Sequence, residues 1–436
     1  MKYIFILLFS IVFKANAQTI YFPPINNNLP WDTLSPQSLG WCPEKIDSLY
    51  DFLNVEKTKA FIVLKDGKIV LEKYFGNFTK DSVRYWASAA KTLTSFLVGK
   101  ANEDGILKLS DSTSRFLGPG WTNAAPDKEG NITIRNQLTM TSGLDDGVPD
   151  DHCTLDTCLN YLADAGNRWA YHNAPYTLLD KVLENSSGQN LNTYTQQKLK
   201  NQTGISGGWF RTDYDNLFIS KARSMARFGI LIQNKCKWGN TVLLADTAYI
   251  RQMVNTSQQI NKSYGYLWWL NGKSSFMAPS SQIVFPGSFA PDAPEDMYAA
   301  IGKNGQILSI APTSGIVFVR MGESNSSNSV PFSFCSKIWK RLNAVICQST
   351  EIDPSTDIEN EIFAFPNPTK SELNLRFYIG TKEILVTDLL GKEILMIKVT
   401  SGEITSVLST KNWKSGCYLV QFFSPKGRLV TKVWKD

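Results

Sequence analysis

Ser88 and Lys91 stand three residues apart in the stretch Trp86-Ala87-Ser88-Ala89-Ala90-Lys91, just ahead of the helical run Thr92 to Val98. That spacing places a hydroxyl at a helix start and an amine one turn later on the same face. A serine is a poor nucleophile at neutral pH and needs a neighbouring base. A partly desolvated lysine has a lowered pKa and can serve as that base. The helix N-terminus adds a field that favours the negative charge of an oxyanion. About two or three chance Ser-x-x-Lys matches are expected in a chain of this composition, and this is the only one in the sequence.

Two further short patterns follow in order. Tyr171-His172-Asn173 comes after Gly166-Asn167-Arg168-Trp169-Ala170 and just before a predicted helix. Lys303-Asn304-Gly305 lies between two predicted strands, 297–301 and 306–311. Each pattern has decoys, since Tyr214-Asp215-Asn216 also fits Tyr-x-Asn and Lys65, Lys128, Lys237 and Lys414 also begin Lys-x-Gly. Only Lys303 opens a strand directly after another strand, where a lysine can line a cleft at a sheet edge.

Rival chemistries fit less well. Gly204-Ile205-Ser206-Gly207-Gly208 has the form of a nucleophile elbow. An elbow needs a strand before it, yet 191–200 has a helical pattern. The only two histidines, His152 and His172, lie upstream of Ser206, where an α/β-hydrolase requires one downstream. Twenty residues apart, with no His-x-Glu or Cys-x-x-Cys beside them, they also make a poor zinc site. No metal and no organic cofactor is expected. Trp268-Trp269 fits an aromatic cleft lining and buried core packing equally well.

The elements that must position these residues can be read from patterning. A helix is predicted over 43–53. Phe61 to Leu64 and Ile69 to Leu71 flank Asp66-Gly67, a hairpin signal. Helices and loops dominate from Ser88 to about Asn255, including helices over 174–185 and 218–232. Strands return at 264–270, 297–301, 306–311 and 315–320, and a last helix covers about 332–345. Strands at both ends with helices between them predict an α+β fold. One mainly antiparallel sheet is flanked by helices and carries an inserted helical subdomain.

The ends carry different information. Lys2, an apolar run from Tyr3 to Phe13 and the small-x-small pattern Ala15-Asn16-Ala17 predict a signal peptide over 1–17. The run is too short to span a bilayer. Export permits disulfides. Of the seven cysteines, Cys153 and Cys158 can bridge a local loop. Cys335 and Cys347 sit near opposite ends of one helix, about 18 Å apart at 1.5 Å per residue, and cannot pair. The formal charge of +6 is spread without a dense basic block, which argues against a nucleic-acid partner. A hydrolase domain over 18–347 is followed by an acidic, Pro/Ser/Thr-bearing linker over 348–361. An all-β tail over 362–436 then reads as a small β-sandwich.

The region from about Phe61 to Val345 resembles the serine hydrolases of the class C β-lactamase-like family, which includes penicillin-binding D,D-peptidases, esterases and amide hydrolases. The stretches that carry the resemblance are Trp86 to Lys91, Leu138-Thr139-Met140-Thr141-Ser142-Gly143-Leu144, Gly166 to Asn173 and Gly302-Lys303-Asn304-Gly305-Gln306. The resemblance implies that Ser88 is the acylated nucleophile, Lys91 its base and Tyr171 a proton shuttle to the leaving group. It implies substrate-binding roles for Asn173, Lys303, Gly305 and Gln306, with the N–H groups of Ser88 and Gln306 forming the oxyanion hole. The third box departs from the β-lactamase form: it reads Lys-Asn-Gly-Gln and lacks the usual hydroxyl, which leans toward esterases and amidases. The alternatives are a D,D-peptidase or β-lactamase, or a non-catalytic penicillin-binding-like surface protein. The expected substrate is a small ester, amide or peptide.

The tail has its own resemblance, carried by Phe365-Pro366-Asn367-Pro368-Thr369, Val386 to Lys392 and Gly416-Cys417-Tyr418-Leu419-Val420. It is similar to the C-terminal sorting domain of type IX secretion. This implies passage through the periplasm to the cell surface or medium, with the type IX machinery as partner.

Overall fold

The computed structural model describes residues 20–324, 330–347, 363–365, 367–377, 380–389, 391–400, 405–424 and 427–436. The expected signal peptide and linker lie outside the described residues. The chain divides into two compact units, Met1–Gln348 and Ser349–Asp436.

Nine strands and five helices of the first unit matter here. They run β1 (Thr58–Lys65), β2 (Lys68–Tyr74), β3 (Val83–Tyr85), β4 (Gly208–Thr212), β5 (Asp215–Lys221), β6 (Trp269–Leu270), β7 (Tyr298–Gly302), β8 (Gln306–Ala311) and β9 (Ile316–Gly322). The helices are α1 (Ile46–Val55), α2 (Lys91–Glu103), α3 (Asn173–Ser187), α4 (Ala222–Gln233) and α5 (Phe332–Ile346). The main sheet has the order β2-β1-β9-β8-β7-β6, and every pairing in it is antiparallel. A second sheet of three strands, β3-β5-β4, leads into the Ser88 turn.

Burial explains why the central strands read as unbroken apolar runs. β7, β8 and β9 are buried along their whole length, because helices cover both sheet faces. Phe318 packs on Trp339 of α5, with ring centroids 5.5 Å apart. Its neighbour Val317 points the other way, where it meets Gly229 of α4. Arg320, on β9, is buried but donates to the carbonyls of Glu56, Asn304, Gly305 and Glu323. One side chain thus ties the start of the sheet to the β7–β8 turn. The α+β fold with helices on an antiparallel sheet is as the sequence predicts.

Local differences have clear causes. The stretch expected as one helix over 218–232 is β5 followed by α4. Asn216, Phe218 and Ser220 alternate inward along β5, a period-2 pattern hidden by its polar members. The expected strand 264–270 shrinks to two residues, since Leu267 adopts a left-handed φ of 62° that ends the extended run. Cys153–Cys158 is a disulfide. A second bridge, Cys42–Cys347, joins the approach to α1 to the end of α5. Cys236 and Cys335 are buried free thiols, and Cys417 is a third free cysteine.

The second unit is strand-rich. One sheet pairs Phe363–Phe365, Glu372–Arg376 and Thr405–Ser409 in that order. The other has the order Glu393–Lys398, Glu383–Asp388, Gly416–Ser424, Gly427–Lys435. Leu373, Leu375, Phe377, Ile384, Val386, Val420, Phe422 and Val433 form its own core.

Candidate active site

Ser88 lies in a 3-10 turn, Ala87–Ala90, that runs directly into α2. Ala87 carries a left-handed φ of 49°, an uncommon state for a residue with a Cβ. The turn is pinned from both sides. Trp86 is fully buried, its N–H bonds Phe218 O and its indole Nε1 donates to Ser220 Oγ at 2.7 Å. On the other side stands Gly302, at the end of β7. A Cβ there would lie 2.7 Å from Trp86 O and 2.9 Å from the N atoms of Ser88 and Ala89. Only a glycine lets the sheet edge reach the Ser88 amide so closely.

Lys91 Nζ is 3.1 Å from Ser88 Oγ. The side chain is 3% exposed, between the rings of Tyr176 at 4.1 Å and Tyr171 at 5.0 Å from Nζ. Burial is the main reason its pKa falls to about 7, with Asp215, Asp151 and Asp180 pulling it back upward. Much of the lysine is therefore a neutral amine at neutral pH. Asp180, itself buried and raised to about 7 by desolvation, bonds Asn216 and Thr94.

Tyr171 is brought to Ser88 by the segment that precedes α3. Its ring stacks on Trp269, with centroids 5.6 Å apart and planes at 20°. Desolvation, opposed by a hydrogen bond with Ser88 and reinforced by Asp151, raises its pKa. It stays a protonated phenol near neutrality and can donate. Trp268 and Trp269 are both buried, and Trp269 forms the wall behind Tyr171.

Asn173 opens α3 and faces Lys91, not open solvent. Its Oδ1 accepts from Lys91 Nζ at 2.8 Å. Its Nδ2 donates to Asp151 Oδ2 at 2.8 Å and lies 3.2 Å from His152 Nε2. His152 Nδ1 is 2.6 Å from Asp215 Oδ1. No motif announces Asp151, His152 and Asp215 as a group. His152 lies in an Asx-rich loop and Asp215 opens β5 within the decoy Tyr214-Asp215-Asn216, and only folding joins them. His172, between Tyr171 and Asn173, is buried, with burial lowering its pKa to about 4. Neither of its ring nitrogens has a hydrogen-bond partner among the described residues.

Lys303, Asn304 and Gly305 form the turn between β7 and β8. Lys303 is exposed, and its charge acts on Asp215. Asn304 Nδ2 donates to Tyr85 Oη at 2.6 Å. Gly305 abuts Arg320 and Phe334. Gln306 is buried on β8, where it exchanges bonds with the backbone of Gly322. Gln306 is paired with Gly302 across the β7–β8 turn. The strand whose end meets the Ser88 amide is β7, at Gly302. Met297 O accepts from Asn271 N on the β6 side, so by strand alternation the amides of residues 299, 301 and 303 point to that same side, where β6 pairs only as far as Ala299.

Ser206 is bonded to Ser224 at 2.9 Å in a loop after a short helix, Asn201–Thr203. That is not the strand-to-helix corner of an elbow.

Comparison with known proteins matches residues 57–332 to the beta-lactamase family and residues 363–436 to the secretion system C-terminal sorting domain. An uncharacterized protein of Alkalihalophilus pseudofirmus is 21% identical over 320 residues, 63% of this chain and 89% of that one. Among solved structures, one titled as a provisional beta-lactamase from Bacteroides dorei aligns with a TM-score of 0.55 at 17% identity. It covers 71% of this chain and 100% of that chain. A penicillin-binding protein homolog from Caulobacter crescentus gives 0.52 at 12% identity, covering 70% and 98%. These structural likenesses carry the fold alone.

Proposed function

The chain belongs to the beta-lactamase family of serine hydrolases and carries a C-terminal secretion sorting domain; within that family we propose that it cleaves a small ester or amide through an acyl-enzyme on Ser88. The observation that carries this reading is the buried Lys91 amine, 3.1 Å from Ser88 Oγ and depressed to about 7. Neutral Lys91 takes the Ser88 proton as Oγ attacks the carbonyl carbon. The oxyanion sits between the Ser88 N–H and the open edge of β7 at Gly302–Lys303. Tyr171 gives its proton to the leaving oxygen or nitrogen, and the proton held by Lys91 restores Tyr171. Water then attacks the acyl-enzyme with Lys91 again as base, and Ser88 regains its hydrogen.

Two features favour a simple ester or amide over a β-lactam or D-alanyl peptide. Both Asn173 amide hydrogens are directed to Asp151 and His152, which leaves none for a substrate side chain. The third box offers Gln306, turned to Gly322, in place of a hydroxyl. The proposed organisation is a signal peptide over 1–17, the hydrolase over 18–347, a linker over 348–361 and the sorting domain over 362–436. The sorting domain implies engagement of the type IX machinery and export to the surface or medium.

The test is labelling with a fluorophosphonate followed by peptide mass spectrometry. The label should fall on Ser88 and vanish in Ser88→Ala. A label on Ser206 overturns the assignment. Turnover of p-nitrophenyl esters, nitrocefin and D-alanyl peptides then ranks the substrate classes, with esters expected first.

A further inference from the structure

The orientation of Asn173 is set by three neighbours. A carboxylate only accepts, so Asp151 Oδ2 must face Nδ2, and Oδ1 is left for the hydrogens of Lys91. The second Nδ2 hydrogen is directed at His152 Nε2, 3.2 Å away. That contact requires a lone pair on Nε2. Asp215 supplies the condition: its Oδ1, 2.6 Å from Nδ1, accepts the ring's one N–H and leaves Nε2 bare. A chain of contacts therefore runs from Asp215 on β5, through the loop before α3, to Lys91 on α2.

We propose that His152, held by Asp215 as the neutral Nδ1–H tautomer, is a positioning residue that locks Asn173 against Lys91, so that acylation requires an unprotonated His152 as well as an unprotonated Lys91. The proposal rests on the Ser88–Lys91 reading above. When His152 gains a proton, Nε2–H faces Nδ2–H, and two donors cannot bond. The imidazolium also has Asp151 Oδ1 3.6 Å from Nε2, and so competes for the carboxylate that holds Asn173. A positive ring then stands near the ammonium that Lys91 becomes when Ser88 gives up its proton. Both effects oppose acylation.

The charged groups around the ring come from four elements. Asp215 belongs to β5, Asp151 to the ring's own loop and Lys91 to α2. Lys303, in the β7–β8 turn, acts on Asp215. Asp150 Oδ1 holds the His152 backbone N–H at 3.0 Å. The hydrogen bond to Asp215 is the largest influence and raises the His152 pKa. The ring therefore protonates at a higher pH than a free imidazole does.

The test measures kcat and KM for p-nitrophenyl acetate from pH 5 to 9, with thermal unfolding as a check on folding. Wild type should show an acid limb in log kcat whose slope approaches two. His152→Gln, whose Oε1 can accept from Asn173 and does not titrate, should keep its plateau within about threefold to tenfold and show a slope of one. His152→Ala and Asp215→Asn should lose about tenfold in kcat with KM little changed. A slope of one in wild type, a slope of two in His152→Gln, or a wild-type plateau in His152→Ala overturns the proposal. Ser88→Ala separates the two readings. Activity that survives there indicts the nucleophile, whereas its loss beside unaltered His152 variants overturns only the role of His152.

Discussion

Replacing Gly302 by alanine should cripple the enzyme while leaving the fold in place. Gly302 has φ −132° and ψ 165°, extended backbone that alanine adopts freely, so the substitution carries no conformational penalty. Its effect is steric. Ordinary contact begins at 3.4 Å, whereas the new methyl would stand 2.7 Å from Trp86 O and 2.9 Å from Ser88 N and Ala89 N. The Ser88 turn and the end of β7 must separate by about half an ångström or more, because Trp86 O, Ser88 N and Ala89 N are backbone atoms that cannot swing aside. Overpacking of this kind costs about 1–3 kcal/mol of stability. A misplacement approaching 1 Å at reacting atoms costs on the order of 10²-fold in rate, so a kcat loss of roughly 10- to 100-fold is expected. KM should change little, because the displaced N–H groups are the ones proposed to hold the oxyanion. The assay is p-nitrophenyl ester turnover beside thermal unfolding, with fluorophosphonate labelling to count competent sites. A Gly302→Ala enzyme with wild-type kcat and unchanged unfolding would refute the claim that this contact sets the Ser88 geometry.

Lys91→Met should lower kcat by about 10²–10⁴-fold and yet stabilise the protein at pH 6, because it removes an amine that must be buried. The folded pKa of Lys91, about 7, lies below the unfolded value of about 10.4. The unfolded chain therefore binds more protons between those values, and wild-type stability should rise with pH across that window. The advantage of Lys91→Met, read by thermal unfolding, should shrink toward pH 10; an advantage independent of pH contradicts the buried neutral amine. Tyr171→Phe keeps the ring that stacks on Trp269 and should leave unfolding unchanged while kcat falls by about 10²-fold or more. Near-wild-type turnover would exclude Tyr171 as the proton donor. A chain ending at about Thr350, which retains Cys347 and its bridge to Cys42, should fold and hydrolyse esters. In the native host it should stay behind the outer membrane, and its appearance in the medium would refute the sorting role.

Local chemistry was legible wherever the participating residues are neighbours in sequence. Ser88 and Lys91 are three apart on one turn, so their meeting needs only helical geometry. The Asp66-Gly67 hairpin, the unbroken apolar strands and the alternating tail likewise follow from short-range pattern, since burial on one or two faces imprints a period on the chain. Tyr171 and Asn173 are legible only through motif resemblance, because Lys91 and Asn173 stand 82 positions apart and no spacing rule brings them together.

Tertiary structure alone decided the rest. Asp151, His152 and Asp215 lie on a loop and a strand far apart in sequence, and their charges acquire meaning only after α2 and β5 pack around them. Cys42 and Cys347, 305 residues apart, pair because α1 and α5 lie together, which cysteine spacing does not encode. Gln306 follows the motif directly, and only the fold shows that its side chain bonds the backbone of Gly322. Gly302 precedes the third box in sequence, and only the fold shows that it stands against Ser88. Sequence specifies which groups carry chemistry and the local periodicity that orients them. Which strand forms the sheet edge, and which amine loses its water, depends on contacts between distant segments, and those exist only in the folded chain.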